Sequence, residues 1–248
     1  MKNKGVIMKK YHQQKQLKQR IIISLITFVF LFLLTCYEQE IRQFLNHFMN
    51  HSSYTLETIP AYHEEPYITM NNNQPNFTEE ERKFTGERYS KLDLLGRCGS
   101  ALARVGIDTM PTEKRGSIGQ IKPSGWHTIK YDHINGKYLY NRCHLIGYQL
   151  TGENANPQNL ITCTRFMNTT GMLLFENKVA NYVRKTNNHV LYRVTPIFEG
   201  TDLLARGVTI EAESIEDNGQ GIRFYVYIYN VQDGVKINYT DGTSQLIQ

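Results

Sequence analysis

The chain has 248 residues, with 28 Lys and Arg against 23 Asp and Glu and a formal net charge of +5. An apolar content of 40% with 21% charged residues excludes wholesale disorder. Four cysteines in this length exclude a disulfide-rich scaffold, and no C-x₂-C pair suggests a structural zinc site.

The charge is concentrated at the start. Residues 1–20 hold seven bases and no acid, so everything after Arg20 sums to −2. An apolar run, 21–36, follows, and bases before an apolar run mark a secretory signal or an N-terminal membrane anchor. Sixteen helical residues span about 24 Å, short of a hydrocarbon core of roughly 30 Å but usable with local thinning. No A-x-A cleavage site follows. The preferred reading is a single-pass anchor with 1–20 in the cytoplasm and the remainder facing outward; a cleaved signal and a secreted protein is the alternative. Residues 38–50 place Ile41, Phe44, Leu45 and Phe48 at helical spacing, a short amphipathic helix inside a juxtamembrane segment, 37–56. The main domain is assigned to 57–248.

Within that domain, Thr78 followed by Glu81 forms a capping box, which predicts a helix whose apolar positions include Leu92, Leu95, Leu102 and Val105. From Trp126 the pattern turns to strand. Residues 126–132 and 137–142 flank Asn135-Gly136, the dipeptide preferred in a type I′ hairpin turn. The second strand runs into Arg142-Cys143-His144, and a polar loop, 151–159, follows. Helical sequence then carries Asn168, and a second helix has Phe175, Val179, Tyr182 and Val183 on one stripe beside Glu176. Residues 190–198, 208–215 and 222–231 read as strands, the last with Phe224, Val226 and Ile228 on one face and Tyr225, Tyr227 and Tyr229 on the other. The tyrosine stripe is read as the second packed face of a sheet in preference to a base-stacking surface. The fold class is α+β, a mostly antiparallel sheet flanked by helices.

Hairpin, loop and helix bring His144, Asn168 and Glu176 within reach of one another. A metal nuclease must activate a water, neutralise phosphate oxygens and stabilise a departing 3′ oxygen. A neutral His can take the water's proton at physiological pH. A hard Mg²⁺ can meet the other two needs through oxygen ligands, with an Asn carbonyl binding directly and a Glu holding a metal-bound water. Arg142 stands where a guanidinium could clamp a phosphate. Such residue types recur by chance, so this pattern alone is weak.

The run Asn141-Arg142-Cys143-His144, followed by Asn168 and by Glu176 eight residues on, resembles the DNA/RNA non-specific endonucleases of the ββα-metal, or His-Me finger, class. Their hallmark is D-R-G-H, then a metal-binding Asn and a Glu eight residues further. Met110-Pro111, residues 122–126, 144–148 and 159–162, Met167-Asn168 and Phe175-Glu176 extend the likeness to Gram-positive secreted or surface-anchored members, including competence DNA-entry nucleases. The resemblance implies a ββα-metal site with His144 as general base, Asn168 as direct Mg²⁺ ligand, Glu176 holding the metal through water, and Arg142 on phosphate. Mn²⁺ is a possible substitute metal. It also implies DNA, and RNA with it, as substrates cut with little sequence preference to leave 5′-phosphate and 3′-hydroxyl ends.

Two positions depart from the motif. Asn141 replaces Asp, removing a charge that could orient Arg142, and Cys143 replaces Gly, whose backbone tolerates positive φ. Some relatives carry an Arg one turn after the Glu; here that position is Ala180, with Arg184 and Lys178 as nearby substitutes. Arg165 is a further candidate phosphate contact. His127, His133 and His189 are read as surface or packing residues, and Asn154, Asn156 and Asn159 as loop-holding amides. Cys143–Cys163 is the one disulfide worth testing, although three reduced thiols is the preferred reading. A Cys143–His144 peptidase dyad is excluded because adjacent strand residues point to opposite faces. A nucleic-acid-binding surface protein with impaired catalysis, motivated by Asn141, is the alternative function. Because the domain is near neutral, phosphate binding is expected to be local, with a modest dependence on salt.

Overall fold

The computed structural model describes residues 59–247, together with Leu25, Thr27, Tyr37 and Glu38, which are helical. The expectations for the basic N-terminus, the apolar run and the juxtamembrane helix fall, apart from those four positions, outside the described residues. Among the described residues no helix is long and apolar enough to cross a membrane.

The elements in chain order are β1 (Tyr67–Thr69), α1 (Glu79–Arg82), β2 (Glu87–Tyr89), β3 (Ala101–Val105), β4 (Tyr140–His144), α2 (Tyr148–Thr151) and β5 (Leu160–Thr164). Then come α3, a π-helical turn Met167–Met172 continuing as α-helix Leu173–Thr186, and β6 (Val190–Ile197), β7 (Gly207–Ser214), β8 (Arg223–Tyr229), β9 (Val235–Ile237) and β10 (Ser244–Leu246). Six strands form one antiparallel sheet in the order β1-β8-β7-β6-β3-β2. β4 and β5 form a separate two-stranded sheet, as do β9 and β10. The class is α+β.

Alternation sorts the central sheet. One face presents Ala101, Ala103, Tyr192, Val194, Ile210, Val226 and Ile228 to Phe175, Val179 and Val183 of α3 and to Cys143, Ile161 and Met167. The other buries Leu102 and Leu191 under Phe77 and Phe84, beside the ion pairs of Arg193 with Glu81 and Glu211 and of Arg82 with Glu213. Tyr225, Tyr227 and Tyr229 are buried, so the tyrosine stripe is packing. Gly171 lets the first turn of α3 rest directly on β8: a Cβ there would strike the Ile228 side chain.

Three local expectations change. The Thr78 capping box is formed, with Glu81 N donating to Thr78 Oγ1 at 3.1 Å and Thr78 N donating to Glu81 Oε2 at 3.0 Å. Its helix nevertheless ends after one turn, because the chain turns at Gly86, φ 89°, into β2, and Leu92 and Leu95 are exposed in the connection to β3. Residues 126–139 form a loose turn with a single bridge, Lys130–Tyr138, in place of a regular hairpin. Gly136 and Lys137 carry the positive φ there and Asn135 does not, so the turn is not type I′. The strand of His144 pairs instead with β5, Asn141 opposite Cys163 and His144 opposite Leu160. The ββα unit is therefore β4, β5 and α3, and Asn168 and Glu176 share one continuous helix.

Candidate active site

β4 carries the candidate base, His144. Its register places Tyr140, Arg142 and His144 on one face and Asn141 and Cys143 on the other, where Cys143 packs into the core with Ile161 and Cys163. Cys143 has no positive φ, so the freedom of a Gly is not required in this strand.

His144 is 6% exposed, and its Nε2 lies 2.7 Å from the carbonyl oxygen of Asn154. A carbonyl only accepts, so Nε2 carries the proton and Nδ1 keeps a lone pair. Arg115 Nη2 approaches Nδ1 at 3.3 Å and can donate to it. Burial, with the Arg115 charge adding to it and the Asn154 carbonyl opposing, brings the pKa of His144 down to about 4. The ring is thus a neutral base at physiological pH, with its free nitrogen beside a cation. Asn159 fixes the backbone beyond it: Ile146 N donates to Asn159 Oδ1 at 2.8 Å and Asn159 Nδ2 donates to Ile146 O at 3.0 Å.

α3 carries the two candidate metal-binding residues, Asn168 and Glu176. Asn168 lies in its π-helical turn, and its carboxamide has no partner among the described residues. Glu176 lies eight residues on, and burial pushes its carboxyl up to about 7, opposed by Gln149 and Arg115. Gln149 Nε2 is 3.5 Å from Glu176 Oε2, a long contact that leaves the carboxylate underused. Gly147 lies against it, and a Cβ there would displace the carboxylate.

The π turn matters for alignment. It takes about 4.4 residues per turn where an α-helix takes 3.6, so the eight steps from Asn168 to Glu176 rotate roughly 730°, close to two full turns. A wholly α-helical stretch would rotate about 800° and set the two side chains about 80° apart. The buried Asn154 Oδ1 is a further oxygen without a partner in this neighbourhood. Partnerless carboxamides and an underused carboxylate suit a hard divalent cation. Among the described residues no group of three or more His, Cys, Asp or Glu could hold a metal, so any ion here depends on Asn and Glu oxygens and water.

The other predicted residues fall as follows. Arg142 donates to the carbonyls of Gly119, at 2.9 Å, and Ile121, and its guanidinium lies 3.9 Å from the centre of the Trp126 ring. These contacts orient it without the motif's Asp. Arg165 stands at the start of α3. Arg184 is not brought to the site: it is exposed in the last helical turn, about 12 Å along the axis beyond Glu176, where it complements the helix dipole. Lys178 lies over Phe224. The cation that does reach His144, Arg115, carries no motif in the sequence. Its only signal is its place in 106–139, a stretch without strand or helix and longer than connections usually are.

A family model for DNA/RNA non-specific endonucleases matches residues 75–216. The chain belongs to the DNA/RNA non-specific endonuclease family. Two solved structures of similar architecture are Streptococcus agalactiae NucA with magnesium ion bound and Sda1 nuclease with bound zinc ion. NucA superposes with a TM-score of 0.67 at 26% identity, covering 81% of this chain and 97% of that one. Sda1 gives 0.57 at 26% identity, covering 79% and 100%. A deoxyribonuclease of Streptococcus dysgalactiae subsp. equisimilis is 33% identical over 120 residues, which cover 46% of this chain and 35% of the relative. The match thus spans about a third of that relative's length.

The folded region carries its charge unevenly, as a nuclease of this family can use. Residues 114–185, which contain the whole site, hold ten Lys and Arg against three Asp and Glu, a net +7. Residues 59–113 and 186–247 hold ten against seventeen, a net −7. All seven arginines of the acidic part are tied to carboxylates. Among the described residues, Arg115, Arg142, Arg165 and Arg184 form no such pair. The near-zero sum of the domain conceals a cationic segment that includes His144, set against an acidic remainder.

Proposed function

We propose that the chain is a divalent-metal-dependent endonuclease that hydrolyses phosphodiester bonds of DNA, and of RNA, with little sequence preference. The observation that carries this reading is the setting of the His144 ring, with Nε2 against the Asn154 carbonyl and Nδ1 facing the Arg115 guanidinium.

In this scheme His144 Nδ1 removes a proton from water, the hydroxide attacks phosphorus, and the bond to the 3′ oxygen breaks. Arg115 turns from the imidazole to the non-bridging phosphate oxygens as charge grows on them. Asn168 would hold the metal directly and Glu176 through a bound water. The ion, Mg²⁺ with Mn²⁺ as substitute, supplies charge neutralisation at the phosphate and the departing oxygen. Arg142 keeps the 119–121 backbone against the site and presents what remains of its guanidinium to phosphate, and Arg165 extends that contact along the strand. NucA with magnesium ion bound and Sda1 with bound zinc ion support a divalent ion in this fold. The impaired-binder reading gains nothing from Asn141, whose Nδ2 is buried without a partner and whose side chain bonds neither to His144 nor to Arg142. The basic 1–20 segment and the apolar 21–36 run support a domain held at the outer face of the membrane, or secreted if the segment is cleaved.

Two experiments test this reading. Products of the full chain acting on plasmid DNA are expected to be resealed by a ligase that needs 5′-phosphate and 3′-hydroxyl ends; fragments that require prior kinase treatment would refute the proposed bond cleavage. Duplex binding by the inactive His144→Ala protein is expected to weaken with salt with a log–log slope of about −4.5 to −5.5, from about five or six phosphate contacts at about 0.9 each. Adding Arg165→Ala to that protein should reduce the slope by about 1, and a slope near −1 for the His144→Ala protein alone would favour a purely local phosphate site.

A further inference from the structure

Cys143 and Cys163 are joined by a disulfide across β4 and β5, with their Cα atoms 5.9 Å apart. We propose that this disulfide positions His144, so that the nuclease becomes competent only after the chain has folded in an oxidising environment. The inference rests on the reading of His144 as the base.

The bond closes a loop of 20 residues, and that loop holds what orients the imidazole. It contains the Asn154 carbonyl that accepts from Nε2, Gly147 against Glu176, and Asn159, which clamps Ile146. Regular structure inside it is limited to one turn of α2 and a 3₁₀ turn, Pro157–Asn159. The two strands that close it pair only with each other and stand apart from the six-stranded sheet. An isolated two-stranded ribbon is marginal by itself, and ordering a loop of this length costs entropy that a cross-link removes from the unfolded chain.

Position along β4 makes the effect local. Cys143 directly precedes His144 and anchors the core face of the strand, while His144 occupies the opposite face. Pinning one residue therefore fixes the direction of the next. Both cysteines are buried, at 1% and 0% exposure, so the bond must form before or during closure of the core and is shielded afterwards. Forming it removes two protons and two electrons from the thiols and passes them to a disulfide-bearing oxidant, which leaves as two thiols. Cys98 does not compete: its buried thiol donates to the carbonyls of Pro157 and Leu160 at 3.2 Å, and burial pushes its pKa up to about 12. A chain folded among cytoplasmic thiols would carry a loosened His144, sparing the cell's own nucleic acid.

The test refolds the full chain from dithiothreitol, either with dithiothreitol kept present or with oxidised glutathione. Both samples are expected to show the same far-UV circular dichroism, with kcat about 10- to 100-fold lower in the reduced sample and KM unchanged. Refolding the reduced sample with oxidised glutathione should restore kcat. The Cys143→Ala/Cys163→Ala chain should stay at the reduced level under both conditions, and native oxidised protein should keep its activity in dithiothreitol. A folded, reduced protein with full kcat would overturn the proposal, as would alkylation of both cysteines in the active enzyme by peptide mapping. A reduced chain that does not fold would overturn the positioning role and leave a structural bond. An inactive oxidised protein with the bond in place would instead refute the nuclease reading.

Discussion

His144→Ala is expected to lower kcat about 10²- to 10⁴-fold while leaving duplex binding within a few-fold of wild type, since the change removes a proton acceptor and no cation. The same substitution should alter the response of stability to acid. Burial holds the folded pKa of His144 at about 4, below an unfolded value near 6.5. A depressed folded pKa means that the unfolded chain binds the proton more readily. The neutral ring's contribution is therefore present above about pH 6.5 and lost as pH falls through 4. The loss amounts to about 3 kcal/mol for a shift of this size. Urea midpoints measured between pH 7 and 4 should converge for wild type and His144→Ala. Parallel curves would show that His144 is not held neutral by its surroundings.

Asn168→Ala is expected to be nearly as damaging, about 10³-fold in kcat, because it removes the proposed direct oxygen ligand while leaving the base in place. Its distinguishing sign lies in stability. Glu176 has its carboxyl raised to about 7 by burial, so its ionised form is a destabilising buried charge as pH rises above that value, unless a cation compensates it. Mg²⁺ should therefore raise the Tm of the wild-type protein, and more at pH 8 than at pH 5.5, where the carboxyl is largely protonated. In Asn168→Ala that increment should vanish at both pH values. An undiminished Mg²⁺ increment in this variant would place the ion elsewhere.

Legibility in the sequence followed the range of the interactions involved. Strands β6 to β8 were readable because alternation is local and each strand buries both faces. His144, Asn168 and Glu176 were readable because a motif and an offset of eight encode them. The π turn beneath Asn168 was not readable: the poor helix formers Asn168, Thr169, Thr170 and Gly171 mark a weak point in a helix without specifying a π turn, and Gly171 only permits the close approach. The partner of β4 was misread because Asn135-Gly136 is a short-range signal, whereas β5 lies some twenty residues downstream and is selected by packing. The Thr78 capping box showed where a helix begins and nothing about its length. Arg115 is an exposed loop residue among polar neighbours, and only the folding of 106–139 over β4 makes it part of the site. Net charge misled because a sum is blind to segregation.

Metal-dependent hydrolysis by this chain is tested by the rate of plasmid cleavage by the purified full chain at pH 7.5 in Mg²⁺ and in EDTA. It requires conversion of supercoiled to nicked and linear DNA in Mg²⁺, its loss in EDTA, and its return when Mg²⁺ is added back. Equal cleavage in EDTA, or none under any of the three conditions by a correctly folded protein, would contradict it.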